Sequence, residues 1–439
     1  MTDSTDLHHI VVVGGGAGGL ELATRLGRRL GRRGRARVTL VDGKLSHVWK
    51  PLFHELAAGT LYSYDDTVDY LAQAKRHGFR FRFGHMHGLD RGDRRITLAP
   101  VIDESGQELA PERALHYDTL VLAVGSVSNH FGTPGAAEHC MFLDTVDEAE
   151  RFQRNMAKAY FRAQEQRSPL ADGQLSVAIV GAGATGVELA AEMRNAARKA
   201  VHYGLDRIDP ERDLKLTLIE ASERVLPALA PALSERTHRQ LEGLGVRVVT
   251  GRKVVGVTDG GVALDDGEFI AAEHRVWAAG IKAPDWLAGL DGLTTNRANQ
   301  IQVTRGLQST TDPDIFAMGD CAACPMPDGQ GLVPPRAQAA SQQAIFLATA
   351  MTRRLQGRAP GSFTYRDHGS LIALNEGHAV GRLMGSVFGN QLIEGTMARL
   401  AYAMLYRKHQ ATLHGVPTTA LTALARWLTR HVHPRLKLH

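Results

Sequence analysis

One structural motif occurs twice in this chain, and the repetition limits the folds open to it. Residues 10–26 read as an apolar strand, a Gly-rich turn, and a helix carrying Leu20, Leu22, Ala23 and Leu26. Residues 176–193 repeat the plan, with Val177 to Val180 as strand and Val187, Leu189 and Ala190 on the helix. The turns begin at Gly14 and Gly181, 167 residues apart. That interval is too long for a solenoid period and suits two mononucleotide-type domains. Short apolar strands are expected at 38–41, 119–123, 215–219, 246–249 and 275–278. Strands alternating with helices predict α/β domains with parallel sheets. A further strand ends in IFAMGD (315–320) with no Gly-rich turn after it, so it should return to the first domain and make the second an insertion. The expected fold is α/β with two Rossmann-like domains, 1–135 with 295–370 and 136–294 between them. From about Gly369 the pattern turns to helical stretches rich in Leu, Ala and Arg, and 371–439 is expected to be an amphipathic helical membrane-binding region.

Gly14, Gly16 and Gly19 fit G-x-G-x-x-G, directly after a strand and opening a helix. The next strand, VTLVD, ends in Asp42, 23 residues beyond Gly19. That is close to the ~20 expected for a carboxylate that binds adenosine ribose hydroxyls. The glycines permit a tight turn and bring backbone N–H groups against a pyrophosphate at the helix N-terminus. Gly181, Gly183 and Gly186 make a second fingerprint, and the strand LKLTLIE ends in Glu220. An acid there accepts two ribose hydroxyls and repels a 2′-phosphate, favouring NADH over NADPH, although Arg224 nearby weakens the exclusion. Two complete fingerprints imply two dinucleotides, most economically FAD and NADH in contact. Nicotinamide then supplies a hydride and flavin N5 accepts it.

Charge distribution adds a second theme. The net charge is +5, yet residues 391–439 hold seven Lys/Arg and one acid, Glu394, for +6, leaving the rest of the chain at −1. A nearly neutral body with a basic tail points to a local anionic partner, lipid or nucleic acid. Leu421, Leu424, Ala425, Leu428 and Val432 recur at helical spacing, with Thr422, Arg426, Arg430 and His433 opposite and Trp427 at the boundary. This is the pattern of an interfacial helix facing anionic lipid. A helix docked on its own body or on a homodimer partner has the same pattern. Nucleic acid fits poorly, since no reading motif or interleaved aromatics are present. A second basic run, Arg25 to Arg37 with seven arginines, reads as a solvated face.

Of the 439 residues, 44% are hydrophobic and 22% charged, which excludes a disordered or collagen-like chain. No apolar run reaches the ~18 residues that suggest a membrane span, so no segment is expected to carry protons across a membrane. The start, MTDSTDLHHI, has no basic n-region and does not read as a signal peptide. Three cysteines cannot form a disulfide framework, and a reduced compartment is expected. The 20 histidines include no H-E-x-x-H and no spacing typical of zinc sites, so no metal is expected.

TTDPDIFAMGDCA (310–322) resembles the second flavin motif of two-dinucleotide flavoproteins, in which a strand-end Asp, here Asp320, holds the ribityl chain. LVLAVGS (120–126) and VWAAGIKAP (276–284) resemble that family's A-x-G linkers, the first beside the flavin and the second beside the nicotinamide dinucleotide. HVWKPLFHELAAGTL (47–61), GATGVELAAE (183–192), DPDIFAMGDCAACP (312–325), VPPRAQAASQ (333–342) and PRLKLH (434–439) look like the type II, non-proton-pumping NADH:quinone oxidoreductases of bacteria. These matches run along essentially the whole chain. The resemblance implies a noncovalent FAD enzyme bound peripherally to the cytoplasmic face of the bacterial inner membrane, with NADH as substrate and a membrane quinone as acceptor. The cofactor-binding set it implies together with the fingerprints is Gly14, Gly16, Ala17, Gly18, Gly19, Asp42, Lys50, Met86, Ala123, Gly125, Asp320, Ala337, Gly181, Gly183, Gly186, Glu220, Ala279 and Gly280.

The family's quinone motif, A-Q-x-A-x-Q, falls on Ala337, Gln338, Ala340 and Gln342. Pro334 and Pro335 are expected to start a helix there, with Gln338 and Gln342 on one face. Amide groups can bond a neutral quinone carbonyl without a buried charge. If that helix begins at the flavin, its positive end stabilises the anionic reduced ring. An Ala-rich packing helix with two surface glutamines is the plain alternative. By the same resemblance Glu188 lies between nicotinamide and flavin, holding the nicotinamide or relaying protons to the quinone. Thr185-x-x-Glu188 is equally a capping-box pattern.

Cys321-x-x-Cys324 raises two competing enzymatic readings, a sulfide:quinone or a disulfide oxidoreductase. The first nucleotide acid is not followed by cysteines in 43–60, and the pair lies after Asp320 rather than inside the second nucleotide domain. Inert or weakly metal-binding cysteines are therefore expected. A third reading, from another class, is an NADH-sensing flavoprotein resembling apoptosis-inducing factor.

Overall fold

The computed structural model describes residues 7–61, 67–374, 379–385, 389–429 and 436. In chain order β1 (His9–Val13) leads through the first Gly-rich turn into α1 (Ala17–Leu26), and β2 (Arg37–Asp42) follows. Then come α2 (Phe53–Ala58), α3 (Tyr70–His77), β3 (Arg80–Phe83) and β4 (Thr119–Leu122). The middle of the chain holds α4 (Val146–Glu165), β5 (Ser176–Val180), α5 (Ala184–His202), β6 (Lys215–Glu220), α6 (Pro231–Gly243), β7 (Val246–Thr250) and β8 (His274–Trp277). Next are β9 (Ile315–Ala317) and α7 (Ala337–Arg354). Last come β10 (Gly369–Ala373), β11 (Ala379–Gly385), β12 (Gly389–Glu394), α8 (Gly395–His414) and α9 (Val416–Thr429).

The chain divides into two compact units. One comprises residues 1–50, 66–127 and 281–366, and the other 51–65, 128–280 and 367–439. Division thus falls at 127/128 and 280/281, where the pattern had suggested 135 and 294. Residues 51–65 and the C-terminal region group with the second unit, not with the first or as a region apart.

The first unit is built on a parallel sheet in the order β9-β4-β1-β2-β3. Register is direct: Val12 stands beside Leu40 on one side and Val121 on the other. β9 pairs with β4 at Leu120↔Ile315, so the chain does return to finish this sheet. β1 reads HIVVV and is buried along its whole length, as a central parallel strand covered on both faces must be. Strand order reverses next to β1, and the crevice outside the carboxyl ends there is where such sheets bind ligands. α1 is followed directly by a π-helical turn, Gly27–Gly31, whose glycines approach neighbouring backbone too closely for a side chain. A Cβ on Gly31 would stand 2.0 Å from the Gly78 carbonyl oxygen. The arginines of this run are partly tethered: the Arg28 Nε donates to the His77 ring at 2.9 Å, and Arg32 donates to the Arg76 carbonyl.

The second unit repeats the parallel order as β7-β6-β5-β8. Its core joins Ala178, Val180, Ile219 and Trp277 to the small sheet residues Val257, Val262 and Ile270. Here α2 packs on α4 and α5, stopped by Gly59 at φ +81°. α4 starts with a complete capping box, Thr145 with Glu148.

Residues 369–394, expected to be helical, instead contain a three-stranded antiparallel sheet, β10-β11-β12. Leu371 pairs with Gly381 and Ile372 with Val380. Gly381, Gly385 and Gly389 interrupt the apolar runs at intervals that a helix interior disfavours. Helices α8 and α9 follow, as expected for the tail. Leu421, Leu424 and Leu428 are 66%, 53% and 62% exposed, so this apolar face of α9 is not laid against the body. No helix among the described residues is long and apolar enough to cross a membrane. Arg430, Val432, His433 and Arg435 lie outside the described residues, as does the side chain of Trp427.

Candidate functional site

In the first unit the turn between β1 and α1 is shaped by backbone contacts that only glycine permits. Gly14 has φ +101°, and a Cβ there would sit 2.4 Å from the Ala123 carbonyl oxygen. A Cβ on Gly19 would meet the Gly14 oxygen at 1.9 Å. Gly16 differs, because a Cβ there would meet nothing within 4 Å, so the turn faces open space at the start of α1. Ala17 and Gly18 begin α1. Asp42 at the end of β2 accepts from the Gly15 N–H at 2.6 Å and from the Lys44 N–H at 2.8 Å. Burial pushes its carboxyl up against the pull of those two donors. One carboxylate is thereby fixed at the end of β2 while its remaining lone pairs point at no described donor.

A second cluster in the same unit surrounds Asp320. The Ser126 hydroxyl donates to Asp320 Oδ2 at 2.8 Å, and the Lys50 Nζ donates to the Ser126 carbonyl at 3.0 Å. Burial raises the Asp320 carboxyl, while the Ser126 hydroxyl and the Lys50 charge lower it. Gly125, at φ +72°, opens onto free space, and Met86 is buried at the start of a separate short strand, Met86–Asp90. A cavity of about 200 Å³ is lined by Ser126, Gln300, Asp320, Val333, Pro334 and Pro335, among others.

The helix carrying Ala337, Gln338, Ala340 and Gln342 starts beside that cavity. The prolines do not begin it: they lie in the extended lead-in, Arg336 is the N-cap, and Ala337 is its first residue. Proline fixes φ but does not oblige the chain to turn helical at once. Gln338 Oε1 accepts from the Tyr365 hydroxyl at 2.6 Å. Gln342 is committed to backbone, its Nε2 donating to the Arg366 carbonyl at 2.7 Å and its Oε1 accepting from the Arg366 N–H at 3.0 Å. The two glutamines share a helix face as expected, yet they do different things.

The second unit holds its own cradle. Gly181 (φ +104°) and Gly186 repeat the close approaches, to Ala279 Cα at 2.6 Å and to the Gly181 oxygen at 1.9 Å. Gly183 faces open space like Gly16. Glu220 accepts from the Ala182 N–H at 2.8 Å and the Ser222 N–H at 2.9 Å. Ala279 and Gly280 follow β8, and a Cβ on Gly280 (φ +66°) would strike the Phe131 ring at 2.3 Å. Arg224 turns toward the Pro227 carbonyl at 3.0 Å.

Glu188 also belongs to the second unit, whereas Gln338 and Gln342 belong to the first. No capping box involves it: Gly183 is the N-cap of α5, which puts Thr185 inside the helix. The Glu188 carboxyl is 7% exposed, accepts from the Ala373 N–H at 3.1 Å, and lies 3.5 Å from His54 Nδ1. Burial pushes it up to about 8, so it carries a proton at neutral pH.

α3 is capped by Asp69 and α4 by Thr145. α1, α5 and α7 have no side-chain cap and no acid in the first turn, and α6 shares this but begins with Pro231, which lacks an N–H. Uncapped N–H groups at a helix start attract anionic oxygen, and here they sit at both Gly-rich turns and at the Asp320 cavity. The residues at each of the two Gly-rich turns fit a bound dinucleotide.

Cys321 and Cys324 are free and buried in this structure. Cys321 is fully buried with its thiol on the Leu122 and Met318 carbonyls, and burial holds both Cys321 and Cys324 up at about 11. A thiol that protonated is a poor nucleophile.

Sequence reasoning missed Tyr70, His54 and Tyr365. Tyr70 donates to the Gly15 carbonyl at 2.8 Å from 55 residues away, with no motif to announce it. His54 stood inside a quoted motif, but only the packing of α2 on α5 brings it to Glu188.

Comparison with known proteins agrees with this geometry. Residues 8–344 match the pyridine nucleotide-disulphide oxidoreductase family. A type II NADH:quinone oxidoreductase of Haemophilus influenzae is 41% identical, the alignment covering 99% of this chain and all of the relative. Among solved structures, NDH2 of Plasmodium falciparum in complex with NADH superposes with a TM-score of 0.82 at 18% identity, covering 98% of this chain and 99% of that one. The sulfide:quinone oxidoreductase of Aquifex aeolicus shares the fold at a lower TM-score of 0.72 and 18% identity, covering 97% and 96%. The chain belongs to the pyridine nucleotide-disulphide oxidoreductase family and, within it, to the type II NADH:quinone oxidoreductases, FAD enzymes that oxidise NADH and pass its electrons to a quinone.

Proposed function

We propose that the first unit retains FAD, that the second takes NADH as an exchanging substrate, and that the acceptor is a membrane quinone reached from a lipid-docked tail. The observation that carries this reading is the pair of complete cradles, each with a strand-end carboxylate seated by two backbone N–H groups and an uncapped helix start. When bound, FAD supplies a two-electron carrier between hydride donor and quinone.

Asp42 receives ribose hydroxyls and the N–H groups at the start of α1 receive pyrophosphate. Ser126, Lys50 and Asp320 hold the polar chain that follows. The uncapped start of α7 stabilises negative charge placed beside it. Glu220 takes the ribose hydroxyls of NADH and disfavours a 2′-phosphate. Glu188 holds a proton for the reduced acceptor, which its burial and neutral form at pH 7 support. Gln338, paired with Tyr365, faces the quinone carbonyl, while Gln342 keeps the 363–366 segment on α7.

The exposed apolar face of α9, with the basic residues of the tail, supports peripheral docking on anionic lipid at the cytoplasmic face of the inner membrane. Each basic residue near such a surface contributes about 1 kcal/mol. Replacing Arg426, Arg430 and Arg435 together should release the protein from anionic vesicles in co-sedimentation, most at high salt, while FAD reduction by NADH persists. Unchanged vesicle binding would instead favour a second copy of the chain on that face.

The test of the activity is steady-state turnover with NADH and NADPH across a panel of quinones and sulfide. NADH-dependent, quinone-requiring turnover is expected, and it should survive Cys321→Ser with Cys324→Ser. Quinone reduction driven by sulfide without NADH would contradict the reading.

A further inference from the structure

Phe131, in the second unit, occupies a backbone position that its side chain disfavours. Residues 130–133 form a tight turn, closed by the Thr133 N–H donating to the His130 carbonyl at 2.9 Å. Both central residues lie at positive φ, Phe131 at +54° and Gly132 at +71°. Glycine, asparagine and aspartate adopt that conformation at little cost, whereas a bulky side chain is strained in it. Burial of the ring does not compensate, since Phe131 is 65% exposed. The turn is nonetheless firmly held. The Phe131 N–H donates to Asn129 Oδ1 at 2.9 Å, and the Asn129 N–H donates to the Gly280 carbonyl at 3.2 Å. The Trp277 Nε1 donates to the carbonyls of Asn129 and Ala279, at 3.0 and 2.9 Å. Strain that its surroundings over-determine, at an exposed aromatic, points to function rather than to stability.

The place of the turn in the sheet says which function. β5 stands between β6 and β8, and ligands of such sheets lie across the carboxyl ends of the strands. Glu220 ends β6, the Gly-rich turn follows β5, and Ala279 and Gly280 follow β8. A dinucleotide with its adenosine ribose at Glu220 and its pyrophosphate at the Gly-rich turn therefore carries its nicotinamide half toward Gly280. The Phe131 ring stands at that end. Its Cζ fills the space a side chain at 280 would take, 2.3 Å from where a Cβ would be. The aromatic surface at the end of β8 thus comes from Phe131, over a glycine that leaves room for it.

We infer that Phe131 is a binding residue for the nicotinamide half of NADH, its ring an apolar wall against which the nicotinamide rests. This rests on the reading that the second unit takes NADH. Two aromatic rings attract in offset or edge-on contact, and such a wall adds affinity with no hydrogen bond to break when the product leaves. The tethered turn and the contact with Gly280 fix the ring before NADH arrives, so little freedom is lost on binding. Asparagine or glycine would fit the turn better but would leave the end of β8 without a wall. The adenosine half lies at β6, so the contribution of Phe131 is confined to the nicotinamide.

The experiment compares FAD-loaded Phe131→Asn and Phe131→Tyr with the wild type. Asparagine accepts a positive φ, so folding is not at stake and Tm should not fall. Anaerobic stopped-flow reduction of FAD reads the half-saturating NADH concentration and the limiting rate separately. For Phe131→Asn the half-saturating concentration should rise about tenfold, the upper range of an aromatic contact. The limiting rate should stay near wild type, the pattern of lost uniform binding. Competitive inhibition by ADP-ribose, which keeps both riboses and the pyrophosphate but lacks nicotinamide, should be unchanged. Phe131→Tyr, which keeps the ring, should keep wild-type affinity. An unchanged NADH dependence in Phe131→Asn would overturn the assignment. So would equal weakening of NADH and ADP-ribose, which would make the turn a support for the whole cradle. A wild-type flavin that NADH leaves oxidised would instead remove the reading of the second unit beneath it.

Discussion

The two Gly-rich turns are built alike and enclosed differently. Both begin with a glycine near φ +100°, both close on a glycine whose Cβ would stand 1.9 Å from a carbonyl oxygen, and both aim a carboxylate through two backbone N–H groups. The residues between those points diverge. Gly15 stands where the second turn has Ala182, because the Tyr70 hydroxyl would lie 2.4 Å from a Cβ there. Gly18 stands where the second has Thr185, because α7 crosses α1 and Met318 Cε would lie 2.6 Å from its Cβ. Thr185, with no such helix over it, is exposed. A turn roofed by Tyr70 and α7 suits a cofactor that stays, and a turn left open suits one that leaves after each cycle. The carboxylates, being the same in both, do not decide which dinucleotide is resident.

The most damaging test is symmetrical. Gly14→Ala forces an L side chain into φ +101° against backbone, and Gly181→Ala does the same at φ +104°. Such strain costs about 1–3 kcal/mol before the clash is counted. Gly14→Ala should yield protein without bound FAD. Gly181→Ala should stay yellow yet fail to be reduced by NADH. Loss of flavin from both would deny that the halves are separate.

Next in size are the carboxylates. A hydrogen bond to a charged group is worth about 1.5–3 kcal/mol, so Asp42→Ala should weaken FAD retention by about tenfold or more, read by flavin loss on dilution. Glu220→Ala should leave FAD in place and narrow the NADH/NADPH ratio of kcat/KM. An unchanged ratio would show that Glu220 is not at the ribose.

Exchanging the divergent residues tests the enclosure itself. Gly18→Thr overpacks the α1–α7 contact, where Ala340 O also lies 3.2 Å from the new Cβ. A loss of about 1–3 kcal/mol is expected, read as a lower Tm with flavin release. Thr185→Gly should cost only the helix-propensity difference, well under about 1 kcal/mol. Tyr70→Phe is the smallest change, about 1 kcal/mol for one lost bond to Gly15 O. It should raise the FAD dissociation constant several-fold and leave the KM for NADH unchanged.

Much of this was legible in the chain because it is local. The strand, the spaced glycines and the strand-end acid of each half lie within about thirty residues, and the return of β9 followed from the missing third turn. Where the reading went astray, the deciding contact was remote in sequence or depended on pairing. The 369–394 segment carries helix-forming Leu and Ala, but its regularly spaced glycines and cross-strand partners make it a sheet. Gln342 carries the family motif, and only the fold reveals that Arg366 backbone takes both ends of its amide. Thr185 and Glu188 matched a capping pattern one helical step out of place, since Gly183 already holds the N-cap position.

The central claim is that one dinucleotide is resident and the other transient. It is tested most directly by passing purified protein through gel filtration, measuring bound FAD and nicotinamide, and then adding NADH without oxygen followed by a short-tailed quinone. One FAD per chain and no retained nicotinamide are expected, with NADH bleaching the flavin and quinone restoring its colour. Nicotinamide that co-purifies with the chain, or a flavin that NADH leaves oxidised, would contradict the account.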